Sequence, residues 1–216
     1  MALKRNGAST GSVVAFLLGN PTLNPAVLIW ILLALGWQWG LLRLVVGLAL
    51  VIGAAALTTR LNPAVVSPTL TEELPLEPAA DSSLVRRWLR SFVRLVVMLV
   101  PIFAILVLVM GAARAFLFPA IEADWGNNWQ VIVGFALAGM LFPIPTGAEI
   151  PIIQAMMASG LGAGPAAALL LTLAPVSLPS LAMMSHALPV RVVASLAGLT
   201  VTAGLVGAGL AVISSL

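Results

Sequence analysis

The sequence predicts an all-α, polytopic membrane protein with about six transmembrane segments, some of them broken helices, arranged in two related repeats. The first observation behind this prediction is composition: 61% of the 216 residues are hydrophobic and only 8% are charged. A soluble domain carries roughly a quarter charged residues, so this chain suits a bilayer. The second is length, because a helix needs about 20 apolar residues to cross a membrane. The third is a set of proline-containing interruptions inside the apolar segments.

Charge and residue usage exclude several other classes of protein. The net charge of +3 comes from only ten Lys and Arg residues, which cluster at segment ends. We therefore expect membrane lipids rather than nucleic acid as partners. The chain has no cysteine and a single histidine, His186, which argues against disulfides, metal sites and haem, so no cofactor is expected. No second acid or paired histidine accompanies the one carboxylate at membrane depth, so the chain is not expected to be an enzyme.

The apolar segments define the spans in order. They cover residues 8–35, 41–57, 95–113, 131–158, 161–184 and 190–213. A polar linker at 60–83 follows the second span, and residues 84–94 predict a short interfacial helix. Arg43 lies near the start of the second span, where its side chain is expected to snorkel to the near surface.

The basic residues predict the orientation of the spans. With the N-terminus in the cytoplasm, seven lie inside and three outside, and six crossings return the C-terminus to the cytoplasm. The inside set is Lys4, Arg5, Arg60, Arg86, Arg87, Arg90 and Arg94, and the outside set is Arg43, Arg114 and Arg191.

The first span is interrupted at residues 19–25. Asn20 and Asn24 each precede a proline, and an Asn-Pro pair suits a helix start, with Asn as the cap and Pro at the first helical position. Two such signals in mid-membrane predict a broken helix or a re-entrant pair of half-helices. A functional alternative is that both amides, with the positive ends of the half-helices, receive an anionic or polar substrate.

The second interruption, at residues 143–149, contains Glu149, the only carboxylate within the apolar segments. A charge at bilayer depth is costly and by default marks a candidate functional site. Thr146 and Glu149 have the spacing of a capping box for a helix at residues 147–158. A further role of Glu149 in proton or substrate binding is compatible with that cap. Gln154 is a second pathway candidate, with a helix-packing hydrogen bond as its structural alternative.

The third interruption, at residues 174–179, adds Ser177 to the candidate pathway. Prolines are the predicted helix breakers in all three interruptions: Pro21, Pro25, Pro143, Pro145, Pro175 and Pro179.

An internal repeat relates residues 7–57 to residues 131–213. The pattern GxxxG followed by PxxxP occurs at residues 7–25 and again at 160–179, and later glycines align, Gly47 and Gly53 with Gly198 and Gly204. Paired broken helices in corresponding halves indicate a transporter's midplane site. The repeat predicts that Asn20, Asn24, Ser177 and Glu149 approach one another. Glycines 198, 204, 207 and 209 are expected to allow close helix approach.

Two strings carry a resemblance to a known family: LGNPTLNPAVLIWILLALGWQWGLLRLVVG at residues 18–47 and IPTGAEIPIIQAMMASGLGAGPAAALLLTLAPVSLPS at 144–180. They resemble the predicted permease family that includes YraQ-like proteins and the ArsP-type organoarsenical efflux permeases. The similarity covers most of the chain except residues 60–83. It implies one transmembrane permease domain, residues 1–216, in the bacterial inner membrane and built from two related halves.

The resemblance implies a permease that moves a small solute by alternating access around the broken helices. Family members generally carry a cysteine-containing motif just before the segment matching residues 3–9, and this chain has no cysteine. The chain is therefore expected to be a truncated reading frame, one subunit of a split permease, or a half that forms a homo-oligomer. The alternative function is a non-transporting membrane subunit or half-permease that acts only with a partner chain.

Overall fold

The computed structural model describes residues 9–62, 88–90, 92–93, 97, 126–141, 143–186 and 188–216. The chain divides into two compact units, Met1–Leu70 with Glu122–Leu216, and Thr71–Ile121. In the second unit, the described residues around Trp88 are helical, and the Trp88 and Phe92 rings stack with centroids 5.3 Å apart. This agrees with the helix predicted at 84–94. The predicted linker beyond residue 62 and the third span, apart from Val97, lie outside the described residues.

The first unit is built from α-helices. In chain order they are α1 (Thr10–Leu23), α2 (Pro25–Ala34), α3 (Trp37–Leu61), α4 (Trp129–Gly139), α5 (Glu149–Ala158), α6 (Ala163–Thr172), α7 (Leu178–Ser185) and α8 (Val190–Ile213). The described part of the chain contains no β-strand, which confirms the all-α prediction.

Helix lengths separate full spans from half-spans. Residues 10–34, 37–61 and 190–213 are long and apolar enough to cross a membrane. By contrast, α5 and α6 have 10 residues each and α4 has 11, which gives a length of about 15 Å, half of the hydrocarbon core. The pairs α4–α5 and α6–α7 are the broken fourth and fifth segments that the sequence predicts.

The first interruption contains one break rather than two. Ser9 caps α1 by accepting the Ser12 N–H at 3.2 Å, and the helix then runs through Asn20 and Pro21 to Leu23. Pro21 removes only one internal hydrogen bond, so the prediction of Pro21 as a helix breaker was wrong, as was that of Asn20 as a cap. Asn24 accepts the Ala26 N–H at 3.0 Å and starts α2, so the prediction for Pro25 is confirmed.

The other two breaks lie between α4 and α5 and between α6 and α7, and their described residues are 140–141, 143–148 and 173–177. They contain Pro143, Pro145 and Pro175, as predicted. Pro179 instead lies in the first turn of α7. A backbone N–H there would have no acceptor within the helix, so its absence costs no hydrogen bond.

Helix caps at these breaks differ from the prediction. Helix α5 begins at Glu149, not at residue 147, and Ala148 occupies its cap position without a side-chain bond. The predicted Thr146–Glu149 capping box is therefore not formed. A capping box does form at α7, between Ser177 and Ser180.

Helix α6 is the centre of the packing, because all ten of its residues are buried. Helix α8 lies along it through two glycines. A Cβ at Gly204 would lie 2.6 Å from the Thr172 Cγ2, and one at Gly207 would collide with the Leu171 side chain. Gly198 and Gly209 face open space, so the predicted close approach is confirmed for two of the four glycines and wrong for the other two.

Alanine substitutions in α8 test this packing. Gly204→Ala should lower the thermal unfolding temperature of the purified protein, because the Thr172 side chain is buried and bonded to the Ala168 carbonyl at 2.8 Å and cannot yield. Overpacking of this kind costs about 1–3 kcal/mol. The control Gly209→Ala should raise stability by up to about 1 kcal/mol, because alanine favours helix more than glycine does. Equal effects of the two substitutions would contradict the assigned interface.

Candidate functional site

The most deeply buried charge in the described structure is Arg43, with 0% of its surface exposed. The prediction that its side chain snorkels to the surface was therefore wrong. Arg43 shares a face of α3 with Gly40 and Gly47, since residues three and four apart lie side by side on a helix. A Cβ at Gly47 would lie 2.7 Å from the Thr22 side chain. The glycine therefore lets the end of α1 approach α3 closely and brings its backbone within reach of the guanidinium.

The Arg43 guanidinium donates hydrogen bonds to three backbone carbonyls. Its Nε donates to the Thr22 carbonyl at 3.0 Å and its Nη2 to the Pro21 carbonyl at 3.0 Å. Its Nη1 donates to the carbonyl of Leu170 in α6. One side chain of α3 thus joins the C-terminal turns of two other helices.

Helix ends explain why these carbonyls need a donor. In a continuous helix the Pro21 carbonyl would accept the N–H of residue 25, but Pro25 has none. The Thr22 carbonyl would accept the N–H of Ala26, but that N–H donates to the Asn24 side chain instead. Leu170 lies in the last turn of α6, where carbonyls lack a helical partner. Helix C-termini also carry partial negative charge, which favours a cation beside them.

Glu149 balances the charge of Arg43. Its side chain is 1% exposed, and its Oε1 lies 3.4 Å from the Arg43 Nη2. Its Oε2 accepts the Gly147 N–H at 2.7 Å. As the first residue of α5, the carboxylate also lies at the positive end of a helix dipole. The buried pair is therefore electrically neutral and supported by helix ends on both sides.

A cavity of about 410 Å³ lies where the helix breaks meet. Its wall comes from the C-terminal half of α1, the break before α5, the break after α6, and α7. The lining residues are Leu17, Leu18, Pro21, Pro143, Ile144, Leu173, Ala174, Pro175, Val176, Ser177, Ser180, Met183 and Met184. The wall is mostly apolar, carries two serine hydroxyls and has no charged side chain.

The predicted pathway residues separate into different places. Ser177 lines the cavity and caps α7, whereas Glu149 pairs with Arg43 and is not part of the wall. Asn20 is exposed on α1 and Asn24 caps α2. The amides of Asn20 and Asn24 are therefore not brought to the cavity wall.

The remaining two candidates also lie away from the wall. Thr146 is exposed. Gln154 is exposed and donates to the Ala34 carbonyl at 2.9 Å, at the end of α2, which is the helix-packing bond expected as its structural alternative.

Sequence reasoning missed Arg43 as a partner of Glu149. The available signal was its position between Gly40 and Gly47, because a face with glycines on both sides of a charge packs against other helices. Among the described residues there is no group of three or more His, Cys, Asp and Glu side chains that could hold a metal ion.

Comparison with known proteins identifies the family. A profile described as a predicted permease matches residues 1–212. The chain belongs to this permease family. It is 40% identical over 214 residues to the UPF0718 protein YraQ of Escherichia coli (strain K12), which covers 98% of this chain and 61% of YraQ. With the UPF0718 protein MJ0584 of Methanocaldococcus jannaschii it is 33% identical over 106 residues, 48% of this chain and 29% of that protein.

The chain therefore spans less than two thirds of the length of either relative. No solved structure matches the chain. Family membership and the apolar helices together indicate a membrane protein.

A double-mutant cycle tests the buried pair. Arg43→Met and Glu149→Leu should each lower the free energy of unfolding by about 3–5 kcal/mol, because each leaves a buried charge without its partner. The double variant should lose less free energy of unfolding than the sum of the two single losses. Some loss should remain, because the Pro21, Thr22 and Leu170 carbonyls stay unpaired. Unfolding by denaturing detergent in mixed micelles measures all three.

The control for this cycle is Arg191→Met, which removes an exposed charge. It should change the free energy of unfolding by no more than about 0.5 kcal/mol. Strictly additive single effects at positions 43 and 149 would show that the two side chains do not interact in the folded protein.

Proposed function

We propose that the chain is a bacterial inner-membrane permease that moves a small uncharged solute by alternating access through the cavity at the helix breaks. The observation that carries this proposal is that three separated stretches of sequence, near residues 21, 144 and 175, line one cavity. Irregular backbone at membrane depth is tolerated where it is buried in protein or lines a water-filled cavity. Discontinuous helices surround the substrate sites of many transporters.

The size of the cavity suits a small molecule. Ligand pockets commonly have volumes of about 300–1,000 Å³, apolar walls and a few polar groups. The wall here follows that pattern, with leucine, proline and methionine side chains around the hydroxyls of Ser177 and Ser180.

The polar groups near the wall favour an uncharged solute over the anionic one considered from the sequence. The Leu178 N–H at the start of α7 donates to the Met140 carbonyl at 2.7 Å, and the Ser180 N–H donates to the Ser177 hydroxyl at 3.4 Å. This helix N-terminus therefore has little donor capacity left for an anion. The charge of Arg43 is matched by Glu149.

The packing order supports two related repeats. Helix α1 ends at a break and packs along α3, and α6 ends at a break and packs along α8. In each case a helix that ends at the cavity packs against a long, glycine-containing helix that is long enough to span the membrane. Rocking of one such pair against the other is the motion expected of transporters built from repeats.

We propose that both termini face the cytoplasm. Because Arg43 is buried inside the protein, it does not count as a loop charge. Seven basic residues then lie on the cytoplasmic side, against Arg114 and Arg191 outside, which strengthens the positive-inside bias.

The second candidate function is a non-transporting subunit or half-permease that acts only with a partner chain. The native mass of the purified complex separates the possibilities. A homo-oligomer or a complex with a second permease chain places the pathway within an assembly, whereas a complex with an unrelated protein favours the supporting role.

Cysteine labelling tests alternating access, and the chain has no native cysteine to interfere. Ala174 is half-buried in the break after α6 and lines the cavity. Ala174→Cys should react with a membrane-impermeant maleimide both in intact cells and in inside-out vesicles. Maleimides react with the thiolate, which forms where water reaches the sulfur.

The matched control is Thr202→Cys, an exposed position near the middle of α8. It should react from neither side because lipid surrounds it. Reaction of Ala174→Cys from only one face, or from neither, would refute alternating access through this cavity.

A further inference from the structure

We propose that Arg43 is the positioning residue of the transport pathway: with Glu149 it forms a latch that holds the three cavity-lining segments together and opens when the cavity turns to the other face of the membrane. This inference rests on the proposed function. It assigns a role to a side chain that neither touches the cavity nor faces solvent.

Each group that the guanidinium binds lies on, or a few residues from, the cavity wall. Pro21 lines the cavity and gives its own carbonyl to Arg43. Leu170 lies three residues before Leu173, which lines the cavity, and Glu149 lies five residues after Ile144, which also does.

The guanidinium is a planar fork whose N–H groups point in several directions, so it can bind acceptors on α1, α5 and α6 at once. A lysine ammonium would keep the charge but would not hold the same fixed set of directions. Arginine therefore suits a role in linking several segments better than a role that needs only a positive charge.

The contact with Glu149 is the longest that the Arg43 guanidinium makes. A charge-assisted N–H···O bond is usually 2.7–2.9 Å long, whereas the Arg43 Nη2 and Glu149 Oε1 are 3.4 Å apart. The Glu149 carboxylate makes a shorter bond, 2.7 Å, to the Gly147 N–H of its own segment. The link between Arg43 and α5 is therefore the one that can part while each side keeps its other hydrogen bonds.

Stability alone does not account for the buried pair of Arg43 and Glu149. A buried ion pair is often no more stabilising than apolar residues of similar volume. By contrast, an ion pair between two segments that move is useful, because breaking it changes the relative stability of the two conformations. The pair has that position here, since the segments it joins form the wall of the cavity.

The experiment measures the ratio of Ala174→Cys labelling rates from the two membrane faces. In the Arg43→Gln background the ratio should change between about 5-fold and 150-fold, the range of typical coupling between two states. Arg43→Lys should change it in the same direction, because the ammonium keeps the charge but loses the fork. Glu149→Gln should give a smaller change, because the carbonyl bonds of Arg43 remain.

A merely structural role would have a different signature. General loosening raises the labelling rates from both faces together and leaves their ratio as in the parent. The control Arg191→Gln should leave both rates unchanged. If Arg43→Gln fails to fold, as judged by size-exclusion chromatography, Arg43→Gln with Glu149→Gln leaves no unpaired charge and should still shift the ratio.

The failures of the two proposals are distinguishable. A ratio within about twofold of the parent in the folded Arg43 variants overturns the latch, as does a ratio restored by lysine. Absence of two-sided labelling in the Ala174→Cys parent, with Arg43 and Glu149 intact, overturns the proposed function instead.

Discussion

The rest of the first unit depends on the hydrogen bonds and the ion pair that the Arg43 guanidinium makes. Breaking a helix inside a membrane protein leaves backbone carbonyls without donors, and each one left unpaired is costly where water is absent. Here three such carbonyls, from the ends of α1 and α6, meet one guanidinium. Glu149 at the start of α5 then removes the net charge. The breaks, the ion pair and the helix ends therefore form one mutually dependent arrangement.

The same arrangement requires a helix that the protein surrounds completely. Helix α6 has ten residues, too few to cross a bilayer, and every one of them is buried. Its alanine-rich surface and the glycines of α8 allow the close contact that encloses it. A half-length helix can end inside the protein here because other helices enclose α6, and its Leu170 carbonyl finds a donor in Arg43 of a neighbouring helix.

The position of the cavity and of the buried pair fits the transport function proposed above. The cavity lies where the breaks meet, and its wall is apolar with two hydroxyl groups. The charged pair lies behind that wall rather than in it. The two proposals therefore assign separate tasks: the cavity wall would contact the solute, while Arg43 and Glu149 would hold the wall in one of its arrangements.

Much of the fold and part of the candidate site follow from the sequence by itself. Apolar length gives the spans, and prolines give the breaks before α5 and after α6, because both depend only on neighbouring residues. Tertiary structure decided that α1 continues through Pro21, that Gly204 is packed while Gly209 is open, and that Arg43 is buried. When a helix is apolar on all sides, its sequence does not show which face packs inward. The partners of Arg43 also come from residues 21, 22, 149 and 170, which only folding brings together.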